Sequence, residues 1–394
     1  MKIGMLALSF KEENQYKDQG QIMMGLQELG MQSVLVSLKD ASSSNLSIPL
    51  EIKFINQLTD LIEVSKSLDC IIVYIGLNPD IFMKLKQEKK FLIYKMDSDG
   101  RFCYNSDPQN RLVDYYSHHF KGNNLEKFFQ SFAKRYAPNF IKNKFYLKRI
   151  EMIEYSDRVV IESPDAANNL SFFLTKNGRP DLINKIHIIP NPVTPDLINS
   201  EIETKENIVI SIGRWNDIGP KNPEGLVQTL NKFLSFKTNW KAVIIGPGEN
   251  IIEMYMNKFK ISNNIRQRIN ITGSLPHEKI KDYLLKSKIF FMPSRWESFG
   301  IAAAEALCCG CTVVGSPIES LRYLTNQGFS GNVSYSLDKD ALFGTLVYES
   351  NKWENNEIDY IRTANYWRKK LNRQSIAKEF IRIIQENEGK SNDE

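Results

Sequence analysis

The chain has 394 residues, 42% of them apolar and 25% charged, and 51 Lys/Arg against 46 Asp/Glu leave a net charge of +5. That length exceeds one ordinary hydrophobic core and suits two domains, with the composition of a globular protein in water. No run reaches the roughly 18–20 apolar residues of a membrane span, and five cysteines in unpaired spacing exclude a disulfide scaffold and fit a reducing compartment.

Taken in chain order, Met1-Lys2 and the apolar Ile3–Phe10 have the outline of a secretory leader. The run is short, no small-residue cleavage site follows, and Lys11-Glu12-Glu13 closes it, so Lys2–Leu8 reads as a first buried strand. A helix is expected over about Gln19–Leu29, stopped by Gly30. Further strands are expected at Ser33–Val36, Cys70–Tyr74, Phe91–Lys95, Arg158–Glu162 and Ile186–Ile189. Between residues 111 and 149 nine Lys/Arg face only Asp114 and Glu126, interleaved with Phe128, Phe129, Phe132, Tyr136, Phe140, Phe145 and Tyr146. Such a stretch suits an anionic membrane surface or anionic acceptor, or simply a helical region with an aromatic core stripe and a solvated basic side. No recognition motif accompanies it, so nucleic acid is not an expected partner.

Pro190, Pro192 and Pro195 interrupt any regular element and mark a linker. A second strand series follows: Asn207–Ile212, Lys241–Ile245, Arg268–Thr272, Ile289–Met292 and Thr312–Gly315. A strongly helical part is expected over about Glu354–Glu386, with a polar tail after Glu388. Short apolar runs alternating with amphipathic stretches predict parallel sheets with helical crossovers. The expected division is residues 1–190, 191–360 and a C-terminal helix in 361–394 that packs back on the first domain. Cys308, Cys309 and Cys311 sit together, but without a fourth ligand or a nearby histidine they read as small buried residues between a helix and a strand, not as a metal site.

Three features of the second half belong together. Strand Asn207–Ile212 leads to Gly213-Arg214 and then Lys221, a basic pair beyond the carboxyl end of a parallel strand, where a diphosphate would bind. Strand Lys241–Ile245 ends in Gly246-Pro247-Gly248, a tight turn whose glycines allow close backbone approach to a ligand. Strand Ile289–Met292 is followed by Pro293-Ser294-Arg295-Trp296-Glu297-Ser298-Phe299-Gly300-Ile301 and a helix starting near Gly300. Its first-turn amides have no intrahelical partners and can receive an anion. Glu297 before that helix and Glu305 within it can both present carboxylates to sugar or ribose hydroxyls.

The spacing Glu297-x7-Glu305 with Ser298-Phe299-Gly300 resembles the signature of family 4 retaining glycosyltransferases. Gly213-Arg214, Lys221, Gly246-Pro247-Gly248, Gly273-Ser274-Leu275 and the later Cys311–Pro317 run follow in the family's order. The likeness covers about Ile189–Pro317 well and the first half loosely. It implies an α/β architecture of two Rossmann-like domains facing across a cleft, the GT-B fold, with the acceptor on the N-terminal side and a nucleotide-sugar donor on the C-terminal side. It further implies that Arg214 and Lys221 bind the donor diphosphate and that Glu297 meets the transferred sugar. Amides of Phe299, Gly300 and Ile301 would lie near sugar and phosphate, Glu305 would hold the ribose, and Gly273, Ser274 and Leu275 would border the base. Transfer would need neither cofactor nor metal. One departure stands out: the family's usual Lys-Gly pair is Lys221-Asn222 here.

On the acceptor side, Asp97 in Lys95–Arg101 can orient an acceptor hydroxyl or take its proton, and His118 is a second candidate. Asp97-Ser98-Asp99 also fits the metal-binding Asp-x-Asp of the other large glycosyltransferase fold, and a catalytically inactive partner subunit is a further alternative. The intact Arg214, Lys221, Glu297 and Glu305 favour catalysis. A saccharide, lipid-linked or protein acceptor and a cytoplasmic place, peripheral at the inner membrane face, complete the expectation.

Overall fold

A computed structural model describes residues 1–7, 10, 12–38, 48–74, 79–100 and 139–388. Its contacts divide them into two compact units. One holds residues 1–100, 139–195 and 369–388, and the other holds Asp196–Arg368.

Among the described residues the first unit carries seven parallel strands: β1 (Lys2–Ala7), β2 (Gln32–Leu38), β3 (Glu51–Ile55), β4 (Cys70–Tyr74), β5 (Phe91–Lys95), β6 (Arg158–Ile161) and β7 (Ile186–Ile188). They lie in the order β3-β2-β1-β4-β5-β6-β7. The central strands are apolar throughout because helices cover both faces of the sheet. Side chains alternate between them: Ile3, Met5 and Ala7 enter one buried cluster with Ile72 and Phe380, while Leu6 enters the other with Ile71 and Phe82. The helix Asp18–Glu28 ends before Gly30, whose φ of 83° suits a glycine stop. It packs against the C-terminal helix Arg373–Glu388. Gly25 sits at the closest approach, where a Cβ would come within 2.5 Å of the Arg373 carbonyl oxygen.

The second unit carries β8 (Glu206–Ile212), β9 (Lys241–Ile245), β10 (Ile269–Gly273), β11 (Ser287–Met292), β12 (Thr312–Gly315) and β13 (Gly331–Val333), again parallel, in the order β10-β9-β8-β11-β12-β13. Its core includes Trp215, Phe233, Trp240, Phe291 and Trp353, with Phe233 and Trp240 edge to face at 5.5 Å. Cys308, Cys309 and Cys311 are buried between the helix Ile301–Cys308 and β12. The Cys311 thiol donates to the carbonyls of Leu284 and Ser287 at 3.2 Å. In each unit the strand order reverses once, between β1 and β4 and between β8 and β11, the place where doubly wound sheets bind ligands at their carboxyl edge.

Three elements differ from the sequence expectation. Strands β3 and β13 were not anticipated: β3 (EIKFI) is a half-exposed edge with a lysine at its centre, and β13 is only three residues long. The helical part expected over Glu354–Glu386 is two helices, Tyr360–Leu371 and Arg373–Glu388, and a further helix, Lys339–Glu354, precedes them. Asn356, at φ 56°, follows the first break, and at the second the Asn372 side chain accepts the Ser375 amide to start a new helix.

Candidate functional site

The loops after β10, β9, β8 and β11 are neighbours because their strands are neighbours in the sheet. Backbone bonds lace them together. The amide of Gly213 donates to Ile245, that of Trp215 to Pro247 at 2.8 Å, and that of Gly246 to Gly273 at 2.8 Å. The Trp215 indole is buried and donates to the Ile245 carbonyl at 3.0 Å, pinning the β8 loop from below.

Gly246 has φ 117°, and a Cβ there would lie 2.0 Å from the Gly213 oxygen; Gly248, at φ 107°, similarly abuts the Asn216 amide at 2.7 Å. These glycines are required by the approach of one loop to the next, a reason the turn pattern alone does not reveal. Gly273, at φ 68°, leaves room for the Glu249 carboxylate, which accepts the Gly248 amide.

At the β8–β11 reversal, Lys221 Nζ donates to Glu297 Oε1 at 2.6 Å, and the Ser294 hydroxyl donates to the same oxygen at 2.7 Å. Both charged side chains are largely enclosed. The Arg295 amide donates to the Pro220 carbonyl at 2.7 Å, so the two loops holding the pair are also joined through backbone. Asn222 adopts φ 52°, ψ 53°, in the left-handed region that glycine and asparagine tolerate. Its side chain accepts the Gly225 amide at 3.2 Å, capping the helix Pro223–Phe236, and donates to the Pro293 carbonyl at 3.0 Å. Asparagine here takes a left-handed backbone that glycine also tolerates and adds an anchor to the Glu297 loop.

Arg214, in the loop after β8, has a 75% exposed side chain, its Nε 3.1 Å from Asp217. Gly300, at φ 80°, caps the helix Ile301–Cys308; Phe299 is buried before it, while Ser298 and Ile301 stay partly exposed. Glu305 lies on the second turn of that helix. Enclosure pushes its carboxyl up to about 7, against the pull of the nearby His277, whose ring is 3.3 Å from Asp196. Ser274 is exposed and Leu275 half-buried at the end of β10. Sequence reasoning passed over Ser294, His277 and Asp196: the first was treated as loop, and the other two meet only in the fold.

In the first unit, Asp97 is exposed beyond β5, whereas Asp99 is buried, with its carbonyl held by the Asn169 amide at 2.9 Å. The two carboxylates thus occupy unlike environments. Under Asp97 lies a buried charged group, Lys95, whose ammonium donates to Glu162 at 3.0 Å and to Asp18 at 3.3 Å. His118, Arg101, Cys103 and the basic aromatic stretch up to residue 138 lie outside the described residues.

Residues 195–370 match the family model described as glycosyl transferases group 1. The GPI3 subunit of phosphatidylinositol N-acetylglucosaminyltransferase from Saccharomyces cerevisiae (strain YJM789) is 26% identical over 171 residues, 41% of this chain and 36% of that subunit. The match therefore spans about a third of that curated relative's length. Anabaena HepE in complex with UDP and glucose superposes with a TM-score of 0.66 at 13% identity, over 98% of this chain and 99% of that one. Sucrose-phosphate synthase from Thermosynechococcus elongatus superposes at 0.68 and 15% identity, over 99% of each chain. Among the described residues no helix is long and apolar enough to cross a membrane. The fold is GT-B.

Proposed function

We propose that this GT-B protein is a retaining glycosyltransferase that moves a sugar from a nucleotide-sugar donor to a saccharide, lipid-linked or protein acceptor. The observation that carries this reading is the Lys221–Glu297 pair, 2.6 Å apart at the β8–β11 reversal, within the segment that matches glycosyl transferases group 1. An enclosed cation and carboxylate suit a substrate that brings a diphosphate and a polyol side by side. The phosphate takes Lys221, and sugar hydroxyls donate to Glu297.

In this reading Arg214 leaves Asp217 and grips the diphosphate, and Gly213 lets its loop approach. Amides of Phe299, Gly300 and Ile301, with Ser298, lie along the phosphate and sugar. Glu305 accepts the ribose hydroxyls, and Gly246, Gly248, Gly273, Ser274 and Leu275 border the nucleoside. When the anomeric carbon–oxygen bond breaks, charge collects on the departing diphosphate. Arg214, Lys221 and the helix amides are already oriented to stabilise it, so no metal or cofactor is called on. The acceptor lies on the side of residues 1–190, where Asp97, exposed beyond β5, meets its hydroxyl and His118 is a second group.

HepE was seen with UDP and glucose, and the GPI3 subunit is named for N-acetylglucosaminyl transfer to phosphatidylinositol. UDP-sugars and lipid-linked acceptors are accordingly the first substrates to try, with the protein peripheral at the inner membrane face. Glu297→Ala should lower transfer at least about a hundredfold while leaving the protein folded. Near-normal turnover in this variant overturns the site assignment.

A further inference from the structure

Pro293, Ser294 and Arg295 follow β11 and lead to Glu297. Each of them is fixed through its backbone by a different segment. The Asn222 side chain donates to the Pro293 carbonyl at 3.0 Å, and the Ser316 hydroxyl donates to the Ser294 carbonyl. The Arg295 amide donates to the Pro220 carbonyl at 2.7 Å. Asn222, Ser294 and Ser316 are all buried. The Ser294 hydroxyl therefore stands on a backbone held from both sides, on a side chain too short to wander.

That hydroxyl donates to Glu297 Oε1 at 2.7 Å, the same oxygen that takes Lys221 Nζ at 2.6 Å. A carboxylate oxygen offers about two acceptor positions. With both donors on Oε1, the capacity left to a ligand is on Oε2. The two donors differ in kind. Lys221 ends in a charged ammonium on a flexible stem, a group that a diphosphate attracts. Ser294 is neutral, short and buried, and gives a phosphate no charge to draw on.

We propose that Ser294 is a positioning residue for Glu297. When a donor diphosphate draws Lys221 toward itself, the Ser294 hydroxyl keeps Oε1 in place, and Oε2 stays available to a hydroxyl of the transferred sugar. This rests on the donor-site reading given above and adds a division of labour to it. Lys221 serves the diphosphate, and Ser294 serves the sugar through Glu297. Ser294 touches no reacting atom, so its signature is a loss confined to ligands that carry a sugar.

The test is calorimetric titration of the full chain with UDP, UDP-glucose and UDP-N-acetylglucosamine, and with GDP and GDP-mannose. For the base that binds, Ser294→Ala should weaken the nucleotide sugar about tenfold, the loss of one hydrogen bond to a charged group. Affinity for the nucleoside diphosphate should stay unchanged. Ser294→Thr, which keeps the hydroxyl, should recover most of the loss. In a Glu297→Ala background, Ser294→Ala should weaken the nucleotide sugar no further. Equal losses for diphosphate and nucleotide sugar, a further loss beside Glu297→Ala, or no loss at all overturns the positioning role while leaving the donor site standing. Failure of the parent protein to bind any of these nucleotides overturns the donor-site reading itself, and the positioning role with it.

Discussion

Glu162 shows how much a single residue can report. Its carboxyl is 0% exposed, and Oε1 accepts from Lys95 Nζ at 3.0 Å and from the Asn191 side-chain amide at 2.7 Å. Its other oxygen and Asn191 Oδ1 are both buried without a partner. Buried acceptors without donors are costly, and Lys95 already faces the buried Asp18 carboxylate. A proton on Glu162 supplies the missing donor and removes the excess negative charge. Burial accordingly pushes the carboxyl up to about 8, with Lys95 pulling against it and Asp97 and Asp18 adding to it. The folded chain then holds a proton that the unfolded chain releases above about 4.5. The stabilisation from this proton is complete at lower pH and is lost as pH rises through about 8. Glu162→Gln mimics the neutral acid. Its denaturant midpoint should fall less than that of the parent across this window, and a parent that gains stability relative to the variant as pH rises contradicts the assignment. Such a group was beyond the sequence reading, which saw Lys95 and Glu162 only as strand ends. Arg214, Lys221, Glu297 and Glu305 were singled out because they follow strand and helix ends in the order that the family resemblance implies. His277 and Asp196 meet only through tertiary packing, and no local pattern announces them.

Strands that fill the middle of a parallel sheet must be apolar on both faces, which is why β4, β5, β9 and β12 could be bounded from composition alone. Edge strands carry no such demand: β7 and β10 were still anticipated, but the half-exposed β3 and the three-residue β13 went unread. The Lys221-Asn222 corner is an element-level case where sequence raised a question and geometry answers it. At φ 52°, alanine would cost about 1–2 kcal/mol in backbone strain. It would also forfeit the cap to Gly225 and the tie to Pro293, each worth about 1 kcal/mol. Asn222→Ala should therefore destabilise the protein by about 3–4 kcal/mol, and Asn222→Gly by clearly less, because it loses the bonds but keeps the turn. Chemical denaturation of both variants reads the difference. Equal losses would mean that the left-handed backbone is not what asparagine supplies here.

For the whole molecule, the sequence indicated two successive α/β parts, and the contacts give two units, the first of which includes the last helix of the chain. That return is held by a close helix–helix approach at Gly25 and by Arg373, which bonds Gln21 and Glu28. A C-terminal helix in 361–394 packing back on the first domain is an expectation of the sequence; the glycine in a helix and the single arginine that make the contact are not legible without the fold. The account's central claim is a donor site that binds a nucleoside diphosphate through Arg214, Lys221 and Glu305. Thermal unfolding of the full chain with a panel of nucleoside diphosphates, with and without chelator, tests it most directly. A ligand at about a hundred times its Kd stabilises the folded state by about 2.7 kcal/mol. The account predicts that one nucleotide raises the melting temperature with or without chelator, and that Lys221→Ala diminishes the rise. No shift with any nucleotide, or one undiminished by Lys221→Ala, contradicts the donor site, and a shift that vanishes with chelator contradicts its independence of metal.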